Sequence, residues 1–399
     1  MNDATAPRPI VMLAPGQHKR AAGGHPWIYS NELRMDRAAK ELPPGSLVAL
    51  EAADGRSLGA ATFNPHALIA ARLLDRDPQR PIDRRFFAAK LESALKLRER
   101  LYPEPYYRLV HAEADGLPGV ILDRFGAVLV AQLNSAGMAR LEEEFIAACR
   151  VRLKPLAIVL RNDSPARALE GLPSEVRIAA GEIAGPVEIV ENGARFLVDP
   201  QQGQKTGWFY DQRENRRFVA GLCRGARVLD LYCFAGGFAI LAAVQGAAQV
   251  LGIDRSEPAL ALAEAAARLN GIGDRCRFAR GEAFAELARL AAMGERFDVV
   301  IADPPAFVKS KKDLGPGLRG YRKLARLAAA RVAKGGLLFF ASCSHNVTPE
   351  AFAEAVRRGL DDAERSGRII LTSGAAPDHP VHPALPESAY LKAQVLALD

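Results

Sequence analysis

Between residues 227 and 341, short apolar runs alternate with helix-length segments, and that alternation constrains the fold more than any other feature. The runs are Arg227-Val-Leu-Asp-Leu231, Gln249-Val-Leu-Gly-Ile-Asp254, Cys276-Arg-Phe-Ala279, Phe297-Asp-Val-Val-Ile-Ala302 and Leu337-Leu-Phe-Phe-Ala341, with the clearest helix between them at Pro258–Asn270. Strands joined through helices predict an α/β, doubly wound parallel sheet whose ligand chemistry lies beyond the carboxyl ends of its strands. A short hairpin (Val187–Val190, Ala194–Val198) precedes this pattern. Two further strands, Arg368–Thr372 and Ala393–Leu398, follow it and are joined by a Pro- and His-rich loop.

The upstream chain has a different texture. Residues 1–75 hold short apolar runs such as Ser46–Leu50 and Leu68–Leu74, divided by the turn signals Pro43-Pro44-Gly45, Asp54-Gly55 and Asn64-Pro65. Closely spaced strands of this kind predict a small β-barrel or sandwich. The polar segment Asp75–Pro81 marks a boundary. Residues 76–185 then read as a central α+β domain. Its elements are a helix over about Asp83–Leu101, a hairpin around Asp115-Gly-Leu-Pro-Gly119, a strand at Val128–Leu133, a helix at about Met138–Leu153 and a strand at Ala157–Arg161. The doubly wound domain takes 186–399.

No run approaches the roughly 18 uninterrupted apolar residues of a membrane span, and the first residues lack the basic-then-apolar layout of a secretory signal. Five cysteines without CxxC spacing support neither a metal site nor a disulfide framework. A cytoplasmic protein with reduced thiols and no membrane contact is expected. The net charge of +7 favours a polyanionic partner, since lysine and arginine displace the counterions condensed on phosphates. A basic surface that binds nothing accounts for the charge equally well.

The first strand runs through Asp230 into Leu-Tyr-Cys-Phe-Ala-Gly236-Gly237 and then a helix. Gly236 and Gly237 let the backbone approach a ligand closely. The second strand ends in Asp254, a carboxylate placed to accept ribose hydroxyls. The G-x-G-x-x-G loop that a dinucleotide would require is missing. S-adenosylmethionine (SAM), which has no phosphate to cradle, fits this pattern better, with Asp230 facing its sulfonium or amino group. Tyr232, Phe234 and Gly236 are candidate cofactor contacts on the same loop, and Asp303, at the end of the fourth strand, is another. Glu282, after the third strand, is a candidate for the adenine amino group or else a solvated helix cap. Tyr210 and Gln212, in Thr206–Arg213, are candidates to close over the cofactor, or parts of a packed loop.

The fourth strand ends in Asp303-Pro-Pro-Ala-Phe307. Two prolines after the carboxylate hold it on a stiff, extended turn, from which Asp303 can hydrogen-bond the edge of a planar base. The fifth strand ends in Ala341-Ser-Cys-Ser-His345, placing Cys343 at the same rim. Two chemistries fit. An amino nitrogen needs only the Asp-Pro-Pro turn, and Cys343 would then be a packing residue. Carbon 5 of a pyrimidine is too weak a nucleophile until a thiolate adds to carbon 6, and Cys343 would supply that thiolate, with His345 the nearest ionisable candidate for the base.

At these residues the chain resembles the RlmI-type family of large-subunit ribosomal RNA cytosine-5 methyltransferases. The resemblance runs through Gly23–Ser30, Glu113–Gly119, Gln204–Arg213, Asp230–Phe238, Asp303–Phe307, Ser342–Ser344 and Asp378–Pro383. It implies an N-terminal PUA domain that binds RNA, a central α+β domain and a C-terminal Rossmann-like class I methyltransferase domain. It also implies SAM as cofactor, Cys343 as attacking thiol and a nucleotide of 23S rRNA, free or in a large-subunit assembly intermediate, as substrate. Other RNA cytosine-5 methyltransferases carry a second cysteine in the turn after the fourth strand, where this chain has Pro304-Pro305-Ala306.

Lys19 and Arg20, with His25 and Trp27 nearby, place cations beside an aromatic ring, which suits phosphate contact and base stacking. Lys309 and Lys311, after the Asp-Pro-Pro turn, are placed to hold phosphates of a target strand. Solvated basic loops, with Trp27 in the barrel core, account for the same residues. A homodimer is compatible with the sequence. An RNA-binding protein with a vestigial catalytic domain would have no use for Asp230, Asp254 and Asp303, and a small-molecule methyltransferase would leave the basic N-terminal half unused.

Overall fold

The computed structural model describes residues 7–399, which form two compact units. The first runs to Val187 and includes Asp199–Trp208 and Asp378–Pro386. The second comprises Glu188–Val198, Phe209–Pro377 and Glu387–Asp399.

The first unit contains two five-stranded sheets. One is ordered Ile10–Met12, Ser46–Glu51, Ser57–Phe63, Ala71–Asp75 and Trp27–Ile28, around a core of Val11, Val48, Leu50, Ala61 and Phe63. Strand Ser57–Phe63 is buried along nearly its whole length, because a helix, Ala136–Arg140, lies directly against it. A Cβ on Gly137 would come within 2.3 Å of the Thr62 side chain, so only glycine allows that approach.

The other sheet is ordered Glu175–Gly181, Ala157–Asn162, Val128–Leu133, Val120–Phe125 and Tyr106–His111. Helices Arg84–Leu101 and Glu142–Leu153 contribute Phe86, Phe87, Leu91 and Phe145 to a core shared with Leu109, Leu122, Leu129 and Leu160. Fully burying a side chain of this size contributes roughly 1.5–3 kcal/mol. Two details depart from the sequence reading. The helix expected over Met138–Leu153 is two helices, because Ser135 caps the first and Glu142, Glu143 and Glu144 begin the second, where carboxylates favour a helix N-terminus. Strand Glu175–Gly181 is an edge strand with Val176 and Ile178 exposed; the sequence reading misses it because the alternation of Glu175, Val176, Arg177 and Ile178 breaks off at once in Ala179-Ala180-Gly181.

The second unit opens on the hairpin strand Ala194–Val198, entered through Asn192 and Gly193, both at positive φ, as a two-residue hairpin turn demands. Its main sheet has seven strands: β1 (Arg227–Leu231), β2 (Gln249–Asp254), β3 (Cys276–Arg280), β4 (Phe297–Ala302), β5 (Val332–Ser342), β6 (Gly367–Ser373) and β7 (Lys392–Leu398). Their order is β3-β2-β1-β4-β5-β7-β6, with β7 antiparallel to both neighbours. The helices are α1 (Arg213–Gly221), α2 (Gly237–Val244), α3 (Glu257–Leu269), α4 (Ala283–Ala292), α5 (Leu314–Ala329) and α6 (Pro349–Asp362). Leu229, Val300, Leu338 and Phe340 meet Leu324, Ala328 and Phe352 in the core. Among the described residues no helix is long and apolar enough to cross a membrane.

Candidate active site

The order reverses at β1, with β2 on one side and β4 on the other, and a crevice opens beyond the carboxyl ends of strands at such a point. The loop leaving β1 is unusual in its backbone. Tyr232, Phe234 and Gly236 have φ of 63°, 50° and 79°. Two left-handed non-glycine residues so close together cost on the order of 1–3 kcal/mol each, so the surroundings must hold them. Cys233 N donates to Ile253 O at 3.0 Å, and Phe234 N donates to Asp254 Oδ2 at 2.9 Å. A Cβ at Gly236 would lie 2.9 Å from Ile240 and 3.1 Å from Ala263, a tight fit at a positive φ that glycine adopts without strain.

Asp254 is thus fixed from within the protein, since its Oδ1 also accepts Ser256 N at 2.8 Å. Asp230 is in the opposite condition. It is 1% exposed; Oδ2 accepts Ala239 N at 3.0 Å, while Oδ1 is buried without a partner. Burial, together with the negative charges of Asp303 and Asp254, pushes its pKa well above the carboxylate range. A buried acceptor with an open oxygen, flanked by like charges, suits a ligand that brings a cation. SAM carries two cationic groups, the sulfonium and the amino group, so the donor set fits it. Asp230 would hold a cationic end, and Asp254, still half-exposed, retains acceptor capacity for hydroxyls.

The segment before α1 is anchored by residues the sequence reading passed over. Arg216 forms two hydrogen bonds to Glu191, at 2.7 and 3.0 Å, and a third to Phe209 O at 2.8 Å. Both side chains are buried, and nothing in the spacing of Glu191 and Arg216 advertises the pair. Tyr210 is 1% exposed, with the Arg213 guanidinium 5.1 Å from its ring centre. Gln212 Oε1 accepts Asn215 Nδ2 at 2.6 Å, and Asn215 Oδ1 in turn accepts Ser373 Oγ at 2.6 Å. Phe209 meets Phe234 edge-on at 5.3 Å, joining this segment to the β1 loop.

Beyond β4 and β5 the two motif turns are tied to each other through α5. Tyr321 Oη lies 2.8 Å from both Ser342 Oγ and Ser344 Oγ, and Val308 N donates to Ser344 Oγ at 3.2 Å. Parallel pairing of Ala302 with Phe340 places Asp303 and Cys343 at neighbouring strand ends. Cys343 is half-exposed, whereas Cys149, Cys223, Cys233 and Cys276 are buried. Burial pushes the thiols of Cys223 and Cys276 up to about 12, which leaves them inert at neutral pH. Phe307 packs against Tyr321 at 4.7 Å with the two rings tilted by 33° and helps line a cleft of about 440 Å³ with Phe284, Lys309, Asp313 and Pro316. Lys309 and Lys311 are exposed. Glu282 is exposed at the N-cap of α4, and its side chain makes no capping hydrogen bond. His345 is exposed, its ring 5.0 Å from that of Tyr390.

In the first unit, Lys19 and Arg20 lie exposed on the short helix His18–Ala22. Arg20 has internal partners: Glu32 at 2.9 Å and the Tyr29 ring at 4.8 Å. Trp27 is half-buried and donates from Nε1 to Glu113 at 2.8 Å. The late Asp378-His379 motif belongs to this unit. Asp378 Oδ2 accepts Arg108 N at 2.9 Å, and Asp378 Oδ1 lies 2.8 Å from His379 Nδ1. Arg98, fully buried, donates to Asp115 at 2.5 and 2.8 Å, to Arg108 O at 2.9 Å and to Asp378 O at 2.9 Å.

A seven-stranded sheet in this order, with an open carboxylate at the end of β1 and an Asp-Pro-Pro turn after β4, defines a SAM-dependent methyltransferase. Residues 158–385 match the S-adenosylmethionine-dependent methyltransferase family, and residues 11–76 match a PUA-like domain. Ribosomal RNA large subunit methyltransferase I of Shewanella amazonensis is 36% identical over 390 residues, which cover 96% of this chain and 98% of that protein. The enzyme of the same name from Aeromonas salmonicida is 36% identical over 392 residues, covering 97% and 98%. A Streptococcus mutans structure described as a SAM-dependent methyltransferase superposes with a TM-score of 0.81 over 98% of this chain and all of that one, at 20% identity, so the fold is shared from end to end. The chain belongs to the ribosomal RNA large subunit methyltransferase I family. Its cofactor is S-adenosylmethionine.

Proposed function

We propose that this protein methylates carbon 5 of a cytosine in 23S rRNA, through a covalent adduct between Cys343 and carbon 6 of the base. The relatives' name supports ribosomal RNA of the large subunit as the substrate class. The observation that carries the cytosine chemistry is that Cys343 alone among the five cysteines is open to solvent, at the rim it shares with the Asp303 turn.

SAM, when bound, supplies an electrophilic methyl group. The residues of the chain do the rest. Asp230, Tyr232, Phe234, Gly236, Asp254, Glu282 and Asp303 hold the cofactor, and Tyr210 and Gln212 close over it. Asp303 orients the cytosine edge and stabilises charge at nitrogen 3. The Cys343 thiolate forms a bond to carbon 6, which makes carbon 5 nucleophilic toward the methyl group. A base, for which His345 is the candidate, then takes the proton from carbon 5, and the carbon 6–sulfur electrons return to Cys343 as thiolate. The target base must be single-stranded or flipped out for the thiolate to reach it. Residues 1–75, including Lys19 and Arg20, bind RNA in this scheme; residues 76–185 form the central domain, and 186–399 carry catalysis, with Lys309 and Lys311 on the phosphates of the target strand.

One observation favours a second reading, transfer to an amino nitrogen: the turn Pro304-Pro305-Ala306 offers no cysteine to assist release. Transfer of labelled methyl from SAM to naked 23S rRNA, with the product mapped, separates the two. Labelled 5-methylcytosine from the wild type, with Cys343→Ala reduced at least about a thousandfold, is the expected result. Label on nitrogen, or undiminished label with the variant, would overturn the cytosine-5 reading.

A further inference from the structure

We propose that Lys392 is a positioning residue for Cys343: its ammonium holds the turn that carries the thiol and favours the thiolate form. The proposal rests on the reading of Cys343 as nucleophile. Lys392 opens β7 and pairs with Ser342, the last residue of β5. It is 7% exposed, and lysine is rarely buried without a charged partner. Nζ donates to Ser344 O at 2.6 Å and to Val347 O at 2.9 Å, so the chain just past Cys343 folds around the ammonium. Among the described residues no carboxylate lies within 4.0 Å of it. Two carbonyls satisfy its hydrogen bonds and leave its charge uncompensated.

The anion that answers this charge is the Cys343 thiolate. Burial lowers the pKa of Lys392, and the charge of Cys343 raises it again, so each group favours the ionised form of the other. The other groups at this end of the sheet do not supply a cation. Tyr321, from α5, is bonded to Ser342 and Ser344, and burial raises its phenol pKa, keeping it neutral. Asp303, at the end of β4, is acidic and opposes a second negative charge. His345 is exposed and lies against Tyr390. Lys392 is the buried cation bonded to the turn that carries Cys343.

The test is the rate of iodoacetamide alkylation of Cys343 against pH in the full-length protein, without RNA or SAM, read by peptide mass. The four other cysteines are buried, so Cys343 is the thiol that reacts. The wild-type profile is expected to give a thiol pKa below the ordinary value of about 8.5. Lys392→Met is expected to move the profile to higher pH and slow alkylation at neutral pH by about tenfold for each unit of that move, while Lys392→Arg stays near wild type. A Lys392→Met profile superimposable on the wild type would overturn the proposal. If Lys392→Met does not fold, the wild-type profile decides alone, and a thiol pKa at or above the ordinary value overturns it. Full methyl transfer by Cys343→Ala would instead defeat the nucleophile reading, a separate measurement that leaves the alkylation profile unchanged.

Discussion

Buried charge is treated in opposite ways in the two units. Arg98 in the first has no exposed surface, yet every side of its guanidinium meets an acceptor, Asp115 on one edge and the carbonyls of Arg108 and Asp378 elsewhere. Asp230 in the second is just as buried, but one oxygen has a single backbone donor, the other has none, and its neighbours Asp303 and Asp254 carry the same charge. A compensated charge orders the chain around it. An uncompensated one, held in place by strands on both sides, marks where a ligand of opposite charge completes the structure.

Removing the compensated cation should have the largest effect. Arg98→Met leaves Asp115 buried without its partner, and the first unit is expected to lose about 3–5 kcal/mol in urea denaturation. A loss under about 1 kcal/mol would break the contrast. Asp230→Asn should behave differently, weakening SAM binding about tenfold to a hundredfold by calorimetry, while the ligand-free protein becomes more stable at neutral pH. The sign follows from the raised pKa of Asp230: the folded state holds its proton more tightly than the unfolded state. The stability this group contributes is therefore present below its ordinary pKa of about 3.9 and lost as pH rises through the folded value. The gain from asparagine should accordingly vanish in acid, and a gain independent of pH would refute the assignment. The smallest effect is expected from Tyr321→Phe, which removes the hydroxyl shared by Ser342 and Ser344 at a cost of about 1–2 kcal/mol. It should lower kcat with little change in KM for RNA; a change confined to KM would detach Tyr321 from the Cys343 turn.

Much of this contrast could be read from the residues alone, and some could not. The alternation from Arg227 to Ala341 placed Asp230, Asp254, Asp303 and Cys343 at strand ends because strand and helix periods survive in sequence. Tyr321, Lys392, Arg216 and Glu191 were missed because each acts through a partner distant in the chain, and no periodicity encodes such a pair. Asp378 and His379 stood out as a motif, but their bonds to Arg108 and to each other give them a place in the first unit that their position between β6 and β7 does not suggest. Arg20 read as an open cation, and its pairing with Glu32 rests on a loop geometry that composition does not convey.

The bond from Cys343 to carbon 6 can be trapped directly. An rRNA fragment in which the target carries fluorine at carbon 5 has no proton there for a base to remove, so elimination of Cys343 is blocked after methyl transfer. With SAM present, the expected product is a complex that survives denaturation, has the summed mass of protein, RNA and one methyl group, and maps to Cys343. Absence of any covalent complex, from protein that methylates the unmodified fragment at full rate, would contradict it.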